Sequence, residues 1–97
     1  MYPGSATRFD YDYYVQKHTP MVRELWGPFG LVAVEISKGV SGLAPGSKPP
    51  YVTITNLVFT SVEGLQSALE ASGAQVMGDI PNFTDVQPEV QLNEILS

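Results

Sequence analysis

Two short stretches of this sequence carry side chains suited to acid–base chemistry, and the first contains the only histidine. This stretch, FDYDYYVQKHTP at residues 9–20, places Tyr14 four residues before His18. Imidazole titrates near neutral pH, so His18 is a candidate general acid or base. On a helix, Tyr14 and His18 would lie one turn apart and could share a substrate or a hydrogen bond. The structural alternatives are a histidine that donates to a carbonyl freed by Pro20, and a tyrosine that packs in the core.

The second stretch, MGDIPNFTDVQP at residues 77–88, supplies the carboxylates that could act with this histidine. Asp79 or Asp85, held against His18, would fix the tautomer of the imidazole and so orient a base. Asn82 could donate to a substrate carbonyl. A role in a turn or cap is the alternative for both Asp79 and Asn82. Two aromatic side chains are further candidates for substrate contact, with core packing as their alternative: Tyr11 and Trp26.

The composition indicates one small domain with a partner. The chain has 97 residues, of which 43% are hydrophobic and 15% are charged, and we treat residues 1–97 as a single domain. So few charges in so small a body suggest that part of the surface is covered, and self-association is the simplest way to cover it. The net charge of −5, with five scattered basic residues, argues against binding to nucleic acid.

Several site classes are excluded by the residues that the sequence lacks. Without cysteine there is no disulfide, thiolate nucleophile or cysteine zinc site, and one histidine excludes a multi-histidine metal centre within one chain. No apolar run approaches the roughly 20 residues that span a bilayer. The opening residues show no signal-peptide pattern. We therefore expect a cytoplasmic protein with no metal and no membrane association.

The hydrophobic pattern predicts two helices and three strands. Asp10 should cap the first helix, and Pro20 should interrupt it so that a new turn begins with Thr19 as its cap. Ser61 should cap the second helix and Gly73 should end it. The predicted helices are residues 9–27 and 61–73, and the predicted strands are residues 29–39, 51–60 and 83–92.

Alternation within the strands predicts which faces are buried. The first strand should place Val32, Val34 and Ile36 on one face, and the second is apolar on both faces, so we expect both to be covered. The order helix, strand, strand, helix, strand corresponds to an antiparallel α+β, ferredoxin-like βαββαβ unit without its first strand. In that unit the helices cover one face of the sheet, and a second copy of the chain could cover the other.

The phrases FD-x-DYY-x-x-x-H-x-P and DIPNFTD-x-QP, with MYP at the start and SVEGLQSALEASG between them, resemble the EthD-type proteins of the dimeric α+β-barrel superfamily. Such proteins carry a full first strand that ends near YP, whereas this chain begins at Met1, so we expect translation to start upstream. The resemblance implies a homodimer whose two sheets close into one barrel. It also implies a pocket between the inner face of each sheet and the first helix, with Asp85 facing the barrel or the dimer seam.

The resemblance implies a cofactor-independent enzyme that acts on a hydrophobic or aromatic carbonyl compound, as an isomerase, cyclase, decarboxylase or oxygenase. It would work alone or as an accessory to an oxidoreductase system for ether or aromatic degradation. In the mechanism we favour, His18 transfers a proton, Asp79 or Asp85 orients it, and Tyr14 or Asn82 polarises an oxygen. The alternatives are a non-catalytic dimer that binds a metabolite, and a haem protein with His18 as axial ligand.

Overall fold

The structure, a computed structural model, describes residues 1–96 and shows a three-stranded antiparallel sheet with helices on one face. The strand order is β1-β3-β2, so the short first strand and the second strand both pair with the third. The predicted α+β, ferredoxin-like fold is confirmed. The strands are β1 (Tyr2–Pro3), β2 (Leu31–Lys38) and β3 (Tyr51–Phe59), and the α-helices are α1 (Tyr11–Tyr13), α2 (Thr19–Trp26) and α3 (Val62–Gly78).

The first helical region is continuous but changes its hydrogen bonding in the middle. Asp10 accepts a bond from the Tyr13 amide, which confirms it as the N-cap. Between α1 and α2, residues Tyr14–His18 form a π-helical turn, and the Thr19 amide bonds the Tyr14 carbonyl. Pro20 cannot donate a backbone bond, which is why the ladder is rearranged where the sequence predicted an interruption. The predicted cap was wrong, because Thr19 is the first residue of α2 and its hydroxyl bonds the Tyr14 carbonyl at 2.8 Å.

The register of β2 and β3 determines which side chains face the helices. Ile36 pairs with Thr55 and Val34 pairs with Leu57, so these four side chains share the helix-covered face. An irregularity between Leu31 and Ala33 breaks the alternation, and Val32 is 64% exposed. Its predicted place beside Val34 and Ile36 on a buried face was therefore wrong.

The other face of the sheet is open in the single chain. Glu35 pairs with Asn56 and Ser37 pairs with Ile54 on this face, and Ile54 is 39% exposed. One chain therefore covers one face of β3, because both helices lie on the same side of the sheet. Cover of the other face by a second copy stays a prediction.

Two clusters of buried side chains lie between the sheet and the helices. The first surrounds Phe83, which is fully buried, and it consists of Tyr2, Tyr14, Ile80 and Phe83. The second consists of Val22, Trp26, Ala68 and Val76, and it joins α2 to α3. Because Tyr14 belongs to the first cluster and Trp26 to the second, the first helical region connects the two parts of the core.

The helix α3 begins as predicted and is interrupted close to its predicted end. Ser61 accepts a bond from the Gly64 amide, so it is the N-cap. Ser72 has non-helical dihedral angles one residue before the predicted end at Gly73, and a second helical segment continues from this kink to Gly78. The Trp26 indole donates to the Ser72 hydroxyl at 2.9 Å, and this tertiary contact accompanies the break in the helix.

The predicted strand at residues 83–92 does not form. Residues 85–96 contain neither helix nor strand. Just before them, Thr84 forms an isolated bridge with Phe9. Within them, the backbone of Glu89 exchanges two hydrogen bonds with Met1. Its neighbour, β1, has two residues, as the predicted truncation of the first strand implied. Because Pro3 and Pro88 also lack N–H donors, too few backbone bonds are available for a ladder.

None of the helices within residues 1–96 has the length and apolar character required to cross a membrane.

Candidate active site

The π-helical turn places His18 in the interior, between the helices and the sheet. The side chain is 5% exposed, and its ring packs 4.7 Å from the ring of Phe83. His18 Nδ1 lies 2.8 Å from Asp79 Oδ2. The imidazole is therefore held by a carboxylate from the far end of α3, and the alternative of a bond from His18 to a freed backbone carbonyl does not occur in the structure.

Asp79 receives three side-chain hydrogen bonds and is the centre of the cluster. Besides His18, the Tyr13 hydroxyl donates to Oδ1 at 2.7 Å and the Asn82 amide donates to Oδ1 at 2.9 Å. Burial raises the pKa of Asp79, but the bonds from Asn82, His18 and Tyr13 outweigh it, and the net effect lowers this pKa below its usual value. The carboxylate is therefore ionised at neutral pH.

The ionised carboxylate determines the tautomer of the histidine. A carboxylate only accepts hydrogen bonds, so His18 Nδ1 must carry the hydrogen that points at Asp79. In the neutral imidazole Nε2 then carries the lone pair. No group among residues 1–96 bonds Nε2, and the only fully buried side-chain atom there without a partner is Thr53 Oγ1. The Nε2 atom is therefore accessible from the space that His18 borders.

That space is a cleft of about 810 Å³ between α2, the sheet, α3 and residues 88–95. Its volume lies within the range of small-molecule sites. Most of its wall is apolar, and Trp26 is the single tryptophan of the chain. Four of the polar side chains that border the cleft pack together around Tyr14, and they are Tyr2, Tyr14, His18 and Thr55.

Tyr14 lies beside His18, as the four-residue spacing predicted. The two rings stack with centroids 5.3 Å apart and an interplanar angle of 14°. The Tyr14 hydroxyl bonds Thr55 Oγ1 at 2.7 Å. Burial raises the pKa of Tyr14, and the bond to Thr55 reduces this effect only in part, so the phenol stays protonated at neutral pH. Tyr14 therefore combines a packing role with a hydroxyl at the wall of the cleft.

The other predicted site residues occupy different positions. Asp85 is not near His18, because its carboxylate accepts bonds from the Thr7 hydroxyl, the Thr7 amide and the Arg8 amide. Tyr11 donates its hydroxyl to the Val52 carbonyl at 2.7 Å. Asn82 bonds Asp79, and Trp26 borders the cleft, so the structure brings these two to the site and leaves Asp85 and Tyr11 outside it.

Two tyrosines at the site were missed in the sequence. Tyr13 was not among the candidate site residues, but its hydroxyl bonds Asp79. An α-helical pattern places residues five apart on different faces, and only the π-helical turn brings Tyr13 and His18 to one carboxylate. Tyr2 lies in a strand of two residues, too short for a periodic signal. Within residues 1–96, no group of three or more histidines and carboxylates is arranged to hold a metal ion.

Comparisons with known proteins agree with this architecture. The model of the EthD domain matches residues 3–87. The chain is similar to an EthD-like protein from Ralstonia eutropha JMP134 with a solved crystal structure, which is 35% identical and superposes with a TM-score of 0.91. The alignment covers 100% of this chain and 87% of that one. No curated protein matches the chain significantly.

Proposed function

The chain belongs to the EthD domain family, and on that premise we propose that it is a small-molecule enzyme that transfers protons without a cofactor. Its substrate would be a hydrophobic or aromatic carbonyl compound, because most of the cleft wall is apolar and a few polar groups lie together around Tyr14. The observation that carries the proposal is the accessible Nε2 of His18, whose other nitrogen is held by Asp79.

The chemistry follows from the tautomer. Nε2 removes a proton from the carbon next to the substrate carbonyl, and the imidazolium returns it to the same carbon or to another position. Asp79 holds the ring in place and stabilises the imidazolium without itself accepting the proton. Of the two groups predicted to polarise the substrate oxygen, Tyr14 is favoured, because Asn82 is engaged with Asp79.

Proton exchange with solvent tests this proposal without knowledge of the natural substrate. Aryl alkyl ketones and cyclic ketones are incubated with the protein in D₂O, and loss of the α-proton signal is followed by NMR. We expect exchange above the buffer rate for the wild-type protein and loss of that excess in His18→Gln, by on the order of 10²–10⁴-fold. Ser41→Ala, in the loop between β2 and β3 and away from the cleft, is the control. Unchanged exchange in a folded His18→Gln protein would make His18 a structural residue.

We also propose that the chain forms a homodimer through the open face of its sheet. The uncovered Val32 and Ile54 support this proposal, because a partner there would bury apolar surface that water now reaches. A native mass spectrum of freshly purified protein measures the number of chains directly. A monomer at micromolar concentration would contradict the proposal. The cytoplasmic location of the protein, which we expect from the sequence, stays a prediction.

The same spectrum addresses the second candidate, a non-catalytic dimer that binds a metabolite or serves an oxidoreductase system for ether or aromatic degradation. The observation that favours it is the small number of ionisable groups, because the cleft wall formed by residues 1–96 has one histidine and no lysine or arginine. A retained small molecule together with no exchange of any ketone would support binding without catalysis.

A further inference from the structure

Three hydroxyl groups lie together at the wall of the cleft. Tyr2 pairs with Thr53 through β1, so its ring enters the core and meets the ring of Tyr14 edge-on at 5.7 Å. The Tyr14 hydroxyl bonds Thr55 Oγ1, and all three side chains, those of Tyr2, Tyr14 and Thr55, border the cleft. Tyr2 and Tyr14 are 6% and 4% exposed, so both side chains lie almost entirely within the protein.

This cluster has a hydrogen to donate that the protein does not use. Three hydroxyls supply three hydrogens, and the bond between Tyr14 and Thr55 uses one of them. Even if the Tyr2 and Tyr14 hydroxyls share a second bond, one hydrogen remains. Within residues 1–96 these hydroxyls make no bond to any backbone carbonyl or carboxylate. The remaining hydrogen is therefore available to an oxygen atom of a ligand in the cleft.

The charges around the cleft indicate whether the ligand oxygen belongs to a charged or a neutral group. Among residues 1–96, no lysine or arginine borders the cleft, whereas Glu89 and Glu94 do. Met1, whose ammonium already donates to the Glu89 carbonyl, borders it as well. A carboxylate or phosphate ligand would therefore meet more negative than positive charge there and would be repelled. A neutral carbonyl meets no such penalty, because its oxygen gains negative charge only while His18 removes the neighbouring proton. Tyrosine hydroxyls suit this task, since a donor in a dry site stabilises charge that develops in the transition state.

We infer that the hydroxyl cluster of Tyr2, Tyr14 and Thr55 binds the carbonyl oxygen of the substrate, and that the substrate is a neutral ketone with an acidic α-hydrogen. The inference rests on the proposed function and adds its oxygen site and substrate class. When Nε2 takes the α-proton, the C–H electron pair forms a C=C bond and the carbonyl π pair moves to the oxygen. The cluster donates hydrogen bonds to that enolate oxygen and keeps its own protons. Burial, and for Tyr2 also the adjacent Tyr14, raises the pKa of both phenols, which keeps them protonated.

Binding of nitroaromatic probes tests the oxygen site separately from catalysis. 4-Nitrophenol carries an oxygen that can bear negative charge, 4-nitroanisole has the same ring with a methylated oxygen, and 4-nitrobenzoate is a permanent carboxylate. Each is titrated at neutral pH, and quenching of the single Trp26 in the cleft reports binding. We expect 4-nitrophenol to bind about tenfold more tightly than either of the other two. Equal binding of 4-nitrophenol and 4-nitroanisole would overturn the oxygen site, and tighter binding of 4-nitrobenzoate would overturn the substrate class.

A matched pair of tyrosine variants tests whether the cluster hydroxyls produce the preference for 4-nitrophenol. Tyr2→Phe removes one hydroxyl of the cluster, and Tyr11→Phe removes one hydroxyl outside the cleft, which bonds the Val52 carbonyl. We expect Tyr2→Phe to lose most of the preference for 4-nitrophenol and Tyr11→Phe to keep it. Equal preference in both variants would overturn the assignment, and if Tyr2→Phe does not fold, the wild-type comparison of probes still decides. Ketone exchange tests the proposed function instead. If the wild-type protein exchanges no ketone but still prefers 4-nitrophenol, the proposed function is refuted and the oxygen site is supported.

Discussion

His18 Nδ1 and Asp79 Oδ2 are 2.8 Å apart although 61 residues separate them in the sequence. The contact joins the π-helical turn of the first helical region to the end of α3, so the fold must close before the pair exists. Because Asp79 also receives bonds from Tyr13 and Asn82, its position is determined from several directions. The pair is therefore a preorganised feature of the tertiary structure, and its charge and geometry can be tested separately.

Replacement of Asp79 by asparagine should change the tautomer of His18. The amide can donate to Nδ1, which would move the imidazole hydrogen to Nε2 and remove the lone pair that borders the cleft. We expect ketone exchange to fall by on the order of 10²-fold or more. Nitrogen-15 NMR of the single histidine reports the tautomer directly. Asp85→Asn is the control, since Asp85 bonds Thr7 and Arg8 instead, and an equal effect of both variants would contradict the role of Asp79.

Loss of the Tyr13 hydroxyl should act on His18 through Asp79. The bond from Tyr13 is one of those that lower the pKa of Asp79, so Tyr13→Phe should raise that pKa. We expect the acidic limb of the pH profile of exchange to move to higher pH, with a smaller loss of rate at neutral pH than in Asp79→Asn. Tyr11→Phe, which removes a bond to the Val52 carbonyl, should change thermal stability alone. An unchanged pH profile in Tyr13→Phe would show that Tyr13 has only a structural role.

Stability should fall in acid because of Asp79 and Asp85. Hydrogen bonds lower the pKa of both carboxyls, chiefly the Thr7 hydroxyl in the case of Asp85. The unfolded chain therefore binds protons at a higher pH than the folded chain, and the stabilisation is complete above about pH 4 and is lost as the pH falls through the folded pKa values. Melting temperatures measured from pH 6 down to pH 3 should decline below pH 4. The decline should be shallower in Asp79→Asn and Asp85→Asn, and identical slopes in all three proteins would contradict the assignment.

Two glycines in α3 should respond oppositely to alanine. A methyl group at Gly64 would collide with the Phe29 carbonyl, whereas one at Gly73 would make an ordinary contact with Leu69 at 3.8 Å. Gly64→Ala should therefore lower the melting temperature, even though alanine is favoured over glycine in a helix by about 1 kcal/mol. Gly73→Ala should stabilise the fold by about 0.4–1 kcal/mol. Stabilisation by both changes would contradict the close approach at Gly64.

Features that depend on neighbours in the chain could be predicted from the sequence. Asp10 and Ser61 cap their helices because a side-chain oxygen two or three residues from an unpaired amide needs no tertiary partner. The interruption near Pro20 was predictable for the same reason, since a missing N–H is a local property. The stacking of Tyr14 on His18 followed from their spacing on one helical face.

Features that depend on distant partners were decided by the tertiary structure. Helical periodicity could not choose between Asp79 and Asp85, because each lies more than 60 residues from His18 and the choice depends on where α3 ends. The strand expected at residues 83–92 has the right alternation, yet a strand exists only where a neighbour supplies donors and acceptors, and β1 offers two residues. The sequence alone was sufficient for the helical regions, for β2 and β3, and for most of the side chains that could act as acids or bases. Closure of the chain decided which of those side chains meet, because a contact between distant residues exists only when the whole core packs.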